Sequence, residues 1–101
     1  MRSPAPSQEE PSQASPEADF SYFISTLGTQ ALAALGAFPD PATGKPRTTI
    51  TSEDLAQAKV LIDILQMISE KTKGNLTPEE STSLEELMYQ LRVRFVERSG
   101  L

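Results

Sequence analysis

The side chains able to do chemistry in this chain are few and of a narrow kind. Its 101 residues include no histidine and no cysteine, so they offer neither an imidazole nor a thiolate as base, nucleophile or metal ligand. Any nucleophile would have to rely on a lysine or carboxylate base. The acidic pairs Glu79/Glu80 and Glu85/Glu86 are adjacent in sequence and so point to different sides of a helix; they read as solvated surface. No glycine-rich phosphate loop occurs. One polar constellation remains, Lys71, Lys73 and Asn75 beside the free N–H groups of a helix that opens after Thr77, where an anion could sit. Glu79 and Glu80 already occupy that positive end, however, and the two lysines complement the negative end of the preceding helix. The expectation is a protein that is not an enzyme, with no catalytic residue, no cofactor and no metal site.

The elements that would position these residues are helices. Glu70-Lys-Thr-Lys-Gly-Asn-Leu-Thr-Pro-Glu-Glu80 carries a helix stop and a helix start together. Gly74 offers the left-handed position that ends one helix. Thr77 is the N-cap of the next, Pro78 stands at N1 where no N–H is needed, and Glu80 at N3 closes a capping box. The result is a tight antiparallel helical hairpin.

Upstream, no charged residue falls between Phe20 and Phe38. Phe20, Phe23, Ile24, Leu27, Ala31, Ala34, Leu35 and Phe38 recur at helical spacing, which predicts an amphipathic helix over 20–38 with Asp19 as its N-cap. Beside that stripe runs a row of small side chains, Ser21, Ser25, Gly28, Thr29 and Gly36, interrupted by Leu32. Such a row either forms a weakly polar face or lets another helix backbone approach closely. Pro39 to Arg47 then breaks the helix, with Gly44 as the positive-φ position.

A second helix is predicted over 52–73, capped by Thr51 or Ser52, with Asp54 at N3 and with Ile50 and Leu55 spaced as a hydrophobic staple. Leu55, Ala58, Leu61, Ile62, Leu65 and Ile68 form one side. Ala56, Val60, Ile64 and Met67 form a neighbouring side, so only the strip Lys59, Asp63, Gln66 and Glu70 is strongly polar. That arc is too wide for a single hairpin partner to cover. The third helix, over 78–98, has a main stripe of Leu84, Leu87, Met88, Leu91 and Phe95. It also has a smaller patch of Tyr89, Val93 and Val96. Acids gather at its start and Arg92, Arg94 and Arg98 at its end, opposing the macrodipole.

Residues 1–19 hold half of the eight prolines and much of the net charge of −5. Too little apolar surface is present there to offset the entropy of ordering, so they read as a disordered tail before a single domain over 20–101. The remainder is close to neutral and shows no basic stripe, which argues against nucleic acid. The absence of cysteine fits a reducing compartment. A membrane role for 20–38 is disfavoured by its Ser, Thr and Gln content and its lack of flanking Lys or Arg.

Residues 20 to about 97 resemble a small bacterial family, domain of unknown function eighteen-forty-four. The resemblance rests on Phe20-Ser-Tyr-Phe-Ile24, Thr29-Gln-Ala-Leu32, Leu35-Gly36, Asp40-Pro-Ala-Thr-Gly44 and Ile62-Asp63-Ile-Leu65. Above all it rests on the stretch Glu70 to Glu80, followed by Leu84, Leu87 and Arg92. It implies a bacterial, cytoplasmic protein and transfers no catalytic or binding residue.

The combined expectation is an all-α, three-helix domain with a C-terminal antiparallel hairpin. It would act as a non-enzymatic interaction or structural protein, pairing with itself and with a further protein partner. The surplus apolar and small residues mark the candidate surface: Ser21, Ser25, Gly28, Leu32, Gly36, Val60, Ile64, Met67, Tyr89, Val93 and Val96. The alternative is a peripheral membrane or membrane-complex adaptor using the uncharged helix 20–38.

Overall fold

The computed structural model describes residues 19–47 and 49–100, in three α-helices: α1 (Phe20–Ala34), α2 (Ser52–Lys71) and α3 (Pro78–Ser99). Each touches the other two. The disordered tail expected over 1–19 lies, apart from Asp19, outside the described residues, as does Thr48 of the stretch before Thr51.

The caps account for where the helices begin. Asp19 accepts from the Tyr22 N–H at 2.8 Å. Thr51 and Asp54 exchange two bonds at 3.0 Å in a full capping box, so Thr51 caps α2 and Ser52 is its first residue. Thr77 and Glu80 do the same at 2.9 and 3.1 Å around Pro78. In each box two otherwise orphaned N–H groups are satisfied.

Two helix ends differ from the sequence expectation. The first helix stops at Ala34, four residues short of Phe38, because Gly36 adopts φ 78°. The Gly36 N–H then reaches Ala33 O at 3.0 Å and the Ala37 N–H reaches Leu32 O at 2.9 Å, the paired bonds of a Schellman ending. Phe38 is thereby carried off the helix and left exposed. The second helix stops at Lys71, with Thr72 as its C-cap. The Thr72 hydroxyl donates to Ile68 O at 2.7 Å, and Gly74, at φ 87°, turns the loop beyond it.

One buried row from each helix builds the core: Ile24, Ala31 and Leu35 of the first helix and its cap, Ala58, Leu61, Ile62 and Leu65 of α2, Leu84, Met88 and Leu91 of α3. Leu35, Leu65, Leu84 and Leu91 are fully enclosed. Truncating one such leucine to alanine costs about 2 to 5 kcal/mol, comparable to the whole stability of so small a domain. Gly28 faces α3 so closely that a Cβ there would lie 2.7 Å from Leu87 Cδ1. The small residue is what lets α1 and α3 meet.

Two arginines lock the end of the bundle where α1 and α3 finish and α2 starts. Arg47 donates to Ala33 O at 2.8 Å and pairs with the Asp54 carboxylate at 2.9 Å. Arg98 donates to Leu35 O at 2.9 Å and to Arg47 O at 3.3 Å. These charge-assisted bonds tie carbonyls at the end of α1, Ala33 O (which also accepts from the Gly36 N–H) and Leu35 O, to the loop before α2 and to the end of α3. The Asp54 carboxyl is held below its ordinary value, first by the Thr51 N–H and the Thr51 side chain. Arg47 adds its charge and hydrogen bond, against the opposing effect of partial desolvation.

Two stability measurements follow from this base. Gly36→Ala and Gly74→Ala each force alanine into a left-handed backbone, at about 1 kcal/mol. At Gly36 the new Cβ would also lie 2.6 Å from Ile50 Cδ1 and 2.7 Å from Arg98 Nη2, whereas at Gly74 the space is open. The urea midpoint is expected to fall clearly further for Gly36→Ala; equal falls would mean that the packing around Gly36 is slack. Asp54, with its folded pKa lowered, stabilises the fold above the ordinary carboxylate range and loses that contribution as pH drops below about 4. Thermal melts are therefore expected to show Asp54→Asn less stable at about pH 7, with a smaller further drop on acidification than the unsubstituted protein.

Candidate interaction surface

Once each helix has committed one row to the core, apolar side chains remain outside it. On α2, Val60 and Met67 are 53% and 49% exposed and Ile64 is half-buried. On α3, Tyr89, Val93 and Val96 stand out, with Tyr89 at 69% exposure. On α1, Phe23 is 49% exposed although it falls within the predicted apolar stripe. The stripe was wide enough that its edge lies beyond what the neighbouring helices cover.

The orientation of the helices assigns these residues to two faces. Gly28 turns one flank of α1 toward α3, so the opposite flank, carrying Phe23 and Leu27, borders α2. Gln66 turns one flank of α2 toward α3 by accepting from Arg92; Ile64 and Met67 lie on the flank away from it. One face therefore runs along the outside of the α1–α2 seam. The other is the outer side of α3, opposite the buried Leu84, Met88 and Leu91.

The row of small residues divides. Ser21 and Ser25 are exposed, and the Ser25 hydroxyl bonds back to Ser21 O at 2.7 Å. Gly28 is buried against the chain's own α3, Leu32 packs against the core, and Gly36 lies past the helix end beside Ile50 and Arg98. The close approach that this row allows is therefore made, at Gly28, within the chain.

At the hinge, the N-terminus of α3 is filled by its own capping box. A hollow of about 150 Å³ there is lined by Lys73 and Gly74 but also by Ser81, Leu84 and Glu85, so a carboxylate shares the wall with the cation. Asn75 spends its N–H on Thr72 O at 2.8 Å. This is turn chemistry, as the spacing suggests. Sequence reasoning missed Arg47 and Arg98 as organising residues, since their acceptors are mostly backbone carbonyls and leave no side-chain signature.

No helix among the described residues is long and apolar enough to cross a membrane. No curated protein and no solved structure matches the chain. Residues 17–97 match the family described as Domain of unknown function (DUF1844). That span takes in Asp19, all three caps, the core rows and both outer faces, and by it the chain belongs to that family of domains of unknown function.

Proposed function

We propose that this domain is a non-enzymatic interaction or structural module that works by associating with further copies of itself. The observation that carries the reading is the set of large apolar side chains left half or more exposed on helices that already share a core, Val60 and Tyr89 foremost. Apolar rows of this kind on a small domain are characteristic of protein contact sites. The composition agrees, since a chain without histidine or cysteine lacks the usual bases and nucleophiles. A cysteine-free chain also suits the cytoplasm.

A peripheral membrane role is the second reading, favoured by Tyr22 and Phe23 standing half exposed on a helix with no charged residue. Sedimentation of the purified full chain at about 10 to 100 µM is expected to show a species larger than the monomer that dissociates on dilution. Flotation with anionic liposomes is expected to leave the protein in the soluble fraction. A monomer throughout that range, or a chain that floats with the lipid, would displace the self-association reading.

A further inference from the structure

Building on the self-association reading, we infer that the outer face of α3 is where two copies meet, as an antiparallel, two-fold helix pair. Thr82, Glu86, Tyr89, Val93 and Val96 follow one another at alternating steps of four and three, the spacing of a coiled-coil seam. All five are exposed. This seam lies on the opposite side of α3 from its core row, so pairing through it leaves the three-helix packing undisturbed.

Charge decides the occupant and its direction. The first half of α3 carries Glu79, Glu80, Glu85 and Glu86, and the second half carries its three arginines with a single acid, Glu97. A parallel second copy would lay acids over acids. An antiparallel copy lays the acidic half over the basic half. Glu85 and Arg92 are two helical turns apart on one flank of the seam, at equal distances from the midpoint of Pro78–Ser99. A two-fold axis near Tyr89 therefore brings Glu85 of each copy opposite Arg92 of the other, with the two Tyr89 rings near the axis. Arg92 is already held at that edge by its bond to Gln66 Oε1, which lowers the entropy lost when a second copy docks. Aromatic and arginine side chains of this kind dominate protein contacts.

The test uses the full chain and analytical ultracentrifugation, with circular dichroism as a check on folding. Tyr89→Glu is expected to weaken the dimer by roughly tenfold or more while leaving the helical circular-dichroism spectrum of the folded chain unchanged. Glu85→Arg and Arg92→Glu are each expected to weaken self-association alone, and to associate with one another when mixed, since each then presents the charge that the other lacks. A dimer unaffected by Tyr89→Glu would overturn the α3 assignment while leaving self-association through the α1–α2 face, which Met67→Glu would then disrupt. Two weakened charge variants that fail to rescue one another would overturn the antiparallel geometry. An unsubstituted chain that stays monomeric at about 100 µM would remove both this inference and the reading beneath it.

Discussion

Everything in this fold depends on α2 serving two neighbours at once. Ala58, Leu61, Ile62 and Leu65 are enclosed between α1 and α3, and no single hairpin partner could shield a row that broad. The sequence around α2 follows from that demand. Thr51 and Asp54 start it at a defined residue, and Thr72 stops it in time for the loop to return α3 alongside. A helix between two others needs its ends set as closely as its faces. A register error of one residue would rotate every core side chain by about 100°.

Much of this was legible from the chain alone. Thr77-Pro78-Glu79-Glu80 announces a helix start by local chemistry, and the structure shows both reciprocal bonds of the capping box. The core rows of α2 and α3 were readable because helical spacing and burial coincide there. The end of α1 was not. Leu35 and Phe38 continue the apolar period across Gly36, and periodicity gives no warning that this glycine takes a left-handed backbone. The role of Gly28 was legible only as an alternative, since a small residue on a helix face says that something approaches but not what. The approaching group is Leu87 of the same chain.

The two outer faces follow from the same helical periodicity as the core. Val60 and Met67 beside the α1–α2 seam, and Tyr89, Val93 and Val96 on α3, are apolar positions for which three helices have no interior left. They differ in charge setting. The α3 row lies on a helix with four acids in its first half and three arginines beside a single acid, Glu97, in its second, the charge setting on which the proposed antiparallel pairing rests. The α2 row is bordered by the Lys59–Asp63 pair at 2.9 Å, an exposed bond of the kind worth little to stability.

The contact between Arg98 and Leu35 O joins residues 63 positions apart in sequence. A nascent chain emerges N-terminus first, so the uncharged α1 helix leaves the ribosome well before its closing arginine has been translated. Until α3 follows, α1 has only α2 to shelter its apolar stripe, and Gly28 has no Leu87 to meet. Completion of this domain therefore waits on the synthesis of α3, and a chain arrested before α3 would present α1 to chaperones and proteases.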